Sequence, residues 1–147
     1  MTDSPKSRNH QLVEQWCERV WRQRDASAMD DLFEPTGTAT GLGRETRTGP
    51  EQMRGFHSAI CDLLADTRME LDTVLEQDGK LACLCTFHGT CKRSGDKVET
   101  PGAMFFEFSD DKIVKGVNRF EFMEMFEQLG LLPEHSFAKA LGGNVVA

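Results

Sequence analysis

Hydrophobic residues in the first 64 positions recur at the three- and four-residue spacing of amphipathic helices. The pattern predicts three helices, near residues 9–24, 27–34 and 50–64. Asn9 and Asp25 are the expected N-caps of the first two, since short polar side chains bind the free N–H groups there. Pro35 is expected to end the second helix, and Pro50 suits the first turn of the third. The N-terminal half is therefore predicted to be mainly helical.

From Thr67 onward the hydrophobic period changes to alternation, which is typical of half-buried strands. This part of the chain predicts long strands that start near residues 67, 80, 98 and 112. Asp78-Gly79 predicts a hairpin turn between the first two, and Thr38–Leu42 indicates a further short strand. After Glu121 the spacing becomes helical again and ends at Gly130. Helices followed by hairpins predict an α+β fold, with the N-terminal helices packed on one face of a strongly curved, mainly antiparallel sheet.

The chain length favours one domain over residues 1–147. Residues 1–8 are polar and are expected to be loose, and residues 134–147 form a C-terminal tail. The tail carries a weak apolar patch, made of Phe137, Leu141, Val145 and Val146. This patch is expected to dock on the body, to dock on a second subunit, or to remain mobile.

The charge balance narrows the range of partners. The sequence has 24 acidic and 17 basic residues, so its formal net charge of -7 repels nucleic acid and anionic lipid. No apolar run approaches the length of a membrane helix, and the first residues lack the apolar core of a signal peptide. We therefore expect a cytoplasmic protein with no nucleic-acid or membrane partner.

The five cysteines indicate a reducing compartment, because their number is odd and no Cys-x-x-Cys spacing occurs. Cys83 and Cys85 are expected to share one face of a strand, where they are either small apolar fillers or metal ligands; the filler interpretation is favoured. The sequence has no Gly-rich phosphate loop, no Gly-x-Ser-x-Gly elbow and no His-Glu-x-x-His helix. No metal and no cofactor are expected.

Three polar residues, Asn118, Arg119 and Glu121, lie in apolar surroundings where the last strand meets the closing helix, and they are the first candidates for chemistry. His57 borders the apolar stripe of the third helix. It is a candidate acid or base of a pocket, with a satisfied structural group as the alternative. Trp16 and Trp21 either line a pocket or anchor the first helix on the sheet.

Five phrases in order along the chain resemble the SnoaL-like polyketide cyclase branch of the nuclear-transport-factor-two-like superfamily. They are RDASAMDDLFEP, TGPEQMRGFHSAI, ADTRMELDTVLEQDGKLACLCTFHGT, MFFEFSDDKIVKGVN and EQLGLLP, and together they extend over roughly residues 9–133. The resemblance implies a cone-shaped α+β fold with an apolar pocket, shared with ketosteroid isomerase and scytalone dehydratase. Members of the family include polyketide cyclases, ester cyclases, isomerases, epoxide hydrolases and proteins with no known reaction.

The family's catalytic groups are incompletely matched. In the cyclases the last strand carries a His-Trp-Asp phrase whose aspartate is the acid/base, and here an ungapped match gives Gly116-Val117-Asn118. An amide has no proton to lose near neutral pH, so Asn118 cannot be a general base. The sequence also lacks any tyrosine, which removes the phenol of ketosteroid isomerase. The resemblance therefore supports the fold more firmly than the activity.

The resemblance implies a pocket for a small hydrophobic molecule, with a carbonyl-containing molecule favoured. Its expected lining is Trp16, Phe33, Phe56, Met104, Phe106 and Phe120. Asn118, His57 and Glu121 are the candidate catalytic residues. Two functions remain open: a polyketide-cyclase-like or isomerase-like enzyme, and a non-catalytic small-molecule binder or dimeric interaction module. A side chain with a shifted pKa in the pocket would favour the enzyme.

Two further expectations concern the faces of the sheet. Helices on one side leave the other face partly apolar, which predicts a homodimer through that face, around Leu84, Thr86, His88, Thr90, Ala103 and Phe105. His88 is then an interface residue. Asn118 is expected to face the cone and to bind a ligand carbonyl or a neighbouring pocket group, with solvent exposure or capping of the closing helix as the alternative.

Overall fold

The computed structural model describes residues 5–147. The α-helices are α1 (Arg8–Gln15), α2 (Ala28–Leu32), α3 (Gly49–Leu63), α4 (Phe122–Gln128) and α5 (Ser136–Leu141), and a π-helical segment (Trp16–Arg22) continues directly from α1. The strands are β1 (Phe33–Thr40), β2 (Arg47–Thr48), β3 (Leu64–Gln77), β4 (Lys80–Cys91), β5 (Lys97–Ser109) and β6 (Lys112–Phe120). None of the helices in this part of the chain is long and apolar enough to cross a membrane.

The strands form one open sheet in the order β2-β1-β6-β5-β4-β3. All neighbouring pairs are antiparallel except β1 and β6, which run parallel. Breaks in register interrupt β3 against β4, β5 against β6 and β1 against β6, and such bulges bend and twist strands. The α+β class and the mainly antiparallel sheet are therefore confirmed, with four long strands close to the expected starting points.

The second helix is shorter than the sequence indicates. It ends at Leu32, and Phe33 and Pro35 belong to β1 instead of a helical face. Pro35 is tolerated there because the pairing of β1 with β6 is interrupted between Phe33 and Thr38, so no ladder hydrogen bond is required of it. The strand expected near Thr38–Leu42 consequently begins five residues earlier, at Phe33.

The first long helix changes its winding at Trp16. From there to Arg22 it is π-helical, with Gln23 N donating to Glu18 O at 2.9 Å. Two side chains from other elements bind carbonyls near its end: His57 Nε2 lies 2.7 Å from Val20 O, and Thr67 Oγ1 donates to Trp21 O at 2.5 Å. These contacts fix the end of the π-helical segment to α3 and β3.

Strand β3 contains a bulge that changes which residues face inward. The expected alternation puts Met69, Leu71 and Thr73 on one face. The register shifts between Leu71 and Thr73, so that Val74 is the partner of buried Cys83 and packs against the core. Thr73 is exposed and pairs with Leu84, on the opposite face. The inward set on β3 is thus Met69, Leu71 and Val74.

The N-terminal expectations are partly corrected. Ser7, and not Asn9, caps α1, because its Oγ accepts a hydrogen bond from His10 N at 3.0 Å. Lys6 also pairs with Glu14 at 2.7 Å, and the looseness of this segment stays a prediction. Residues 1–4 of the expected loose segment lie outside the described residues. In the second helix Ser27, not Asp25, occupies the N-cap position.

The C-terminal tail forms the short helix α5, which contacts α4. Phe137 N donates to Glu127 Oε1 of α4 at 3.3 Å, which attaches the start of α5 to the body. Phe137, Leu141 and Val145 remain exposed. The apolar patch of the tail thus lies mostly in solvent in this chain.

Candidate functional site

A cavity lies between the helical layer and the inner face of the sheet. Its volume is about 50 Å³, and it is partly open to solvent. The lining is apolar apart from one amide and consists of Trp16, Trp21, Phe33, Ala39, Leu42, Met53, Phe56, Ile60, Met69, Phe87, Met104, Phe106, Ile113, Gly116, Asn118, Phe120, Phe122 and Met125. The interior is therefore narrow and suits a small ligand or a single ring.

All six residues expected to line the pocket are in this wall: Trp16, Phe33, Phe56, Met104, Phe106 and Phe120. Whether they bind a substrate stays a prediction. The sequence interpretation missed several other wall residues, among them Phe87, Met53 and Met125. Their signal was present, because Met53 lies in the apolar stripe of α3 and Phe87 on the inward-facing positions of β4.

Aromatic rings hold the wall together. Trp21 packs edge-on against Phe87 with ring centroids 5.0 Å apart, and Trp16 lies 6.0 Å from Phe33. Both tryptophans are nearly buried. Each therefore anchors the first helix and also lines the cavity, so the two interpretations of these residues are compatible.

Near the closing helix the wall continues with three phenylalanines. Phe122 lies 6.3 Å from Phe56 and 6.0 Å from Phe120 between ring centroids. Gly102 of β5 accommodates the Phe120 ring, because a Cβ at this position would lie 2.2 Å from a ring carbon. The absence of a side chain at Gly102 thus sets the position of one wall residue.

Asn118 is the one polar residue of the wall. It is half-buried on β6, opposite Met104, and its Nδ2 donates to Thr40 O of β1 at 3.0 Å. Because Thr40 O can only accept, this contact fixes the orientation of the amide. One N–H and the carbonyl oxygen Oδ1 have no protein partner among residues 5–147. The amide can therefore donate to, or accept from, a group inside the cavity.

Glycines make room on both sides of this amide. Gly116, two residues earlier on the same face of β6, lines the cavity, and a Cβ there would have its nearest contact at 3.9 Å, to Phe106. Gly41 has φ +84°, and a Cβ there would lie only 1.8 Å from Asn118 O. Glycine at position 41 is thus required for the loop after β1 to approach the backbone of Asn118.

His57 lies behind the wall and does not line the cavity. It is buried where α3 packs on the π-helical segment, and its ring is tilted by 51° against that of Trp21, with the centroids 5.0 Å apart. Since Val20 O accepts, Nε2 carries the proton in this contact. Burial lowers the pKa of His57, and the nearby Arg24 charge adds to this, against the opposing effect of the Val20 contact. The geometry corresponds to the structural alternative for this histidine.

Glu121 and Arg119 also lie outside the wall. Glu121 is exposed at the residue before α4, and its backbone N donates to Pro101 O at 3.2 Å. Arg119 is exposed, pairs with Ala103 in the sheet, and its Nη1 donates to Asn118 O at 2.8 Å. Of the three candidate catalytic residues, only Asn118 is brought to the cavity. Asn118 does not cap α4, whose N-cap position is Glu121.

Cys83 and Cys85 are both buried on the inward-facing side of β4, as the alternation indicates. The Cys83 thiol and burial raise the pKa of Cys85, and burial raises the pKa of Cys17 to about 12. The Cys85 and Cys17 thiols therefore stay protonated near neutral pH and pack as apolar groups, whereas a hydrogen bond with Cys85 lowers the pKa of Cys83.

An arginine that does not itself line the cavity contacts a ring of the cavity wall. The guanidinium carbon of Arg47, on β2, is 5.4 Å from the centroid of the Phe56 ring, and its Nη1 donates to Gln52 O at 3.1 Å. The chemistry available to the site is therefore apolar contact, hydrogen bonding at Asn118, and one positive charge beside the wall.

Comparisons with known proteins agree with this geometry. The model of the SnoaL-like domain matches residues 13–116, more than half of the chain. A search of the curated proteins found no match to the sequence. A protein with a ketosteroid isomerase-like fold from Catenulispora acidiphila, solved in complex with trimethylamine, is similar at 18% identity and TM-score 0.73, over 82% of this chain and 92% of that one.

Two further solved structures are similar. One, from Jannaschia sp. CCS1, bears the name of the SnoaL-like polyketide cyclases and is 14% identical with a TM-score of 0.76, over 90% of this chain and 99% of its own. The other, an NTF2-like protein from Burkholderia pseudomallei, is 21% identical with a TM-score of 0.72, over 84% of this chain and 98% of its own. At these identities the structures support the fold alone. With the matching domain model, they show that this chain belongs to the family of SnoaL-like domains.

Proposed function

We propose that this SnoaL-like domain binds a small, largely apolar molecule that carries a carbonyl group, and that it does so without catalysing a reaction. The observation that carries the proposal is the composition of the cavity wall, which is apolar except for Asn118. A hydrogen bond from the free N–H of Asn118 would orient the ligand carbonyl. An amide offers no proton acceptor of suitable basicity for acid/base chemistry.

The positions of the remaining candidates support the same proposal. His57 is engaged with Val20 O behind the wall, and Glu121 is exposed at the residue before α4. A general base has to reach the proton that it removes, directly or through one water. Neither residue lines the cavity in which the ligand would lie.

Fluorescence provides a direct test, because the two tryptophans of the sequence both line the cavity and no tyrosine contributes. Acetophenone and ethylbenzene have similar shapes and differ in the carbonyl group. We expect both to change the emission saturably, with acetophenone bound more tightly by about 0.5–1.5 kcal/mol for one hydrogen bond. Asn118→Leu should remove this difference and leave ethylbenzene binding intact.

Two results would contradict the proposal. If neither probe gives saturable binding, the cavity is not a ligand site. If the protein accelerates hydrogen–deuterium exchange at the methyl group of acetophenone, and Asn118→Leu abolishes the acceleration, the site carries out proton transfer and the enzyme alternative is correct. Exchange at the rate of buffer alone is the expected outcome.

We also propose that the chain forms a homodimer through the outer face of the sheet. Leu75, Ala82, Phe105 and Val117 form one cross-strand row there, and Leu84 is opposite Ala103 in the next row. Leu75 and Leu84 are 69% and 59% exposed, high values for leucine on a sheet. Contiguous exposed apolar rows favour contact with a second protein surface.

Charges flank these apolar rows in a self-complementary way. At one end Lys80 and Lys115 both pair with Glu107. At the other, His88 lies between Glu70 and Glu99, at 3.0 and 3.4 Å from their carboxylates. A two-fold axis that lies between the two sheets, parallel to the apolar rows, would place the lysine-rich end of one copy beside the carboxylate-rich end of the other.

A further inference from the structure

The backbone pairing of Arg47 places it on the cavity side of the sheet. Arg47 is directly opposite Ala39 in the antiparallel pair of β2 and β1, and Ala39 lines the cavity. Directly opposed residues of an antiparallel pair project to the same face. Ala39 is in turn paired with Gly116, and Gly116 with Phe106, both of them wall residues. Arg47 thus extends an inward-facing row of the wall to the edge of the sheet.

The contacts of the Arg47 guanidinium leave most of its donors available. Its Cζ lies over the Phe56 ring, 5.4 Å from the ring centroid, and one N–H of Nη1 is used by Gln52 O. A guanidinium has five N–H donors, and Gln52 O is the one hydrogen-bond acceptor that contacts Arg47 among residues 5–147. No carboxylate in residues 5–147 pairs with Arg47, although the sequence has 24 acidic residues. The half-buried charge therefore lacks a counterion at the cavity rim.

We propose that the ligand of this cavity is an amphipathic anion, a small aryl or alicyclic carboxylate. Its ring fills the apolar interior and its carboxylate binds the edge of Arg47 at the rim. This inference rests on the proposed binding function and adds the charge of the ligand to it. In a ligand that reaches both Arg47 and Asn118, one carboxylate oxygen would also accept a hydrogen bond from the Asn118 amide.

The physical basis is the match between a planar guanidinium and a carboxylate. Paired, charge-assisted hydrogen bonds are stronger than neutral ones, and they are strengthened further beside apolar walls that exclude water. The Phe56 ring restricts the orientation of the guanidinium, so less side-chain freedom is lost when a ligand binds. The net charge of -7 opposes anions in general, and selection for a carboxylate must therefore come from this local contact.

The test compares benzoate with its neutral isostere benzamide, using tryptophan fluorescence on the intact chain at low ionic strength. The wild-type protein should bind benzoate about tenfold more tightly than benzamide, as expected for charge-assisted hydrogen bonds. Arg47→Met should abolish this preference while binding of benzamide and acetophenone is retained. Arg54→Met is the matched control, because Arg54 is two residues from Phe56 on α3 but pairs with Asp30 at 2.9 Å. It removes the same charge and should keep the preference.

Each outcome separates the inference from the function on which it rests. If the wild-type protein binds acetophenone but prefers benzamide to benzoate, or if Arg47→Met keeps the benzoate preference, the anionic ligand is excluded and the binding function stands. If no probe binds, both fail. If Arg47→Met loses all binding, Arg47→Lys decides: a retained preference for benzoate supports the inference, and its loss overturns it.

Discussion

Replacing Asn118 with aspartate tests the position of this side chain, because the change replaces only the amide NH₂ group with an oxygen. In the native chain Nδ2 donates to Thr40 O at 3.0 Å. An ionised aspartate has no donor, so its oxygen would face the lone pairs of the Thr40 carbonyl across that distance. A protonated aspartate has an O–H and can restore the contact. The apolar wall also disfavours the charged form. Both effects raise the pKa of the introduced carboxyl group.

The size of the pKa shift follows from the loss of one half-buried hydrogen bond, the one between Asn118 and Thr40. Leaving a buried acceptor unsatisfied costs about 1–3 kcal/mol. Since each pKa unit corresponds to about 1.4 kcal/mol, the pKa in the folded state should be roughly one to two units above the value of about 3.9 expected for the unfolded chain. With the folded pKa raised, the native state retains the proton to higher pH. The variant should therefore approach wild-type stability below about pH 4 and lose stability as the pH rises through the raised pKa.

Urea denaturation of both proteins between pH 4 and pH 8 measures the difference, and carboxyl carbon NMR gives the pKa directly. Asn144→Asp is the control, because Asn144 is exposed in the tail and should titrate normally. If the carboxyl group introduced by Asn118→Asp titrates near 3.9, with a stability difference that does not vary with pH, the side chain is solvated. The placement of Asn118 in the cavity wall would then be wrong.

Three further predictions follow from the packing. Because burial lowers the pKa of His57, the free energy of unfolding should decrease as the pH falls below about 6.5, the pKa of histidine in the unfolded chain. Urea denaturation of His57→Gln should show a smaller decrease. An equal decrease would contradict the buried position of His57. Phe105→Lys should shift the mass measured by light scattering from dimer to monomer with little loss of helix signal, and a monomeric wild type would refute the interface. Gly102→Ala should destabilise by about 1–3 kcal/mol through the Phe120 ring; unchanged thermal stability would show that the ring moves freely.

Much of the fold could be predicted because its signals are local. The change of period at Thr67 and the turn at Asp78-Gly79 depend on neighbouring residues, and the structure has β3 and β4 joined at that turn. The end of α2 was placed incorrectly because Phe33 continues the helical spacing, whereas its pairing with Ile113 on β6 draws it into a strand. Tertiary contacts of this kind leave no mark in a short window.

The residues of the candidate site also differ in how far the sequence alone could place them. Strand alternation together with the match to the cyclase phrase led to the expectation that Asn118 faces the cone, and Asn118 does line the cavity. His57 was ambiguous because helical spacing gives a face but not the neighbour on it, and the carbonyl of Val20 is 37 residues away. Arg47 was missed because a two-residue strand has no period, and its face is known only from its pairing with Ala39.

The π-helical segment makes the winding of the helix between Trp16 and Trp21 a determinant of the cavity. At 3.6 residues per turn, an α-helix would point two side chains five positions apart in directions about 140° apart. A winding closed by i→i+5 bonds brings positions five apart closer in direction than an α-helix does, and both indoles are in the wall. If the segment wound as an α-helix with all its residues kept, one indole would turn away although neither tryptophan would have been changed, whereas deleting one residue such as Glu18 would leave the two tryptophans four positions apart, on one face of an α-helix. Ligand preference in this chain can therefore change through the winding of one helical segment, with every wall residue retained.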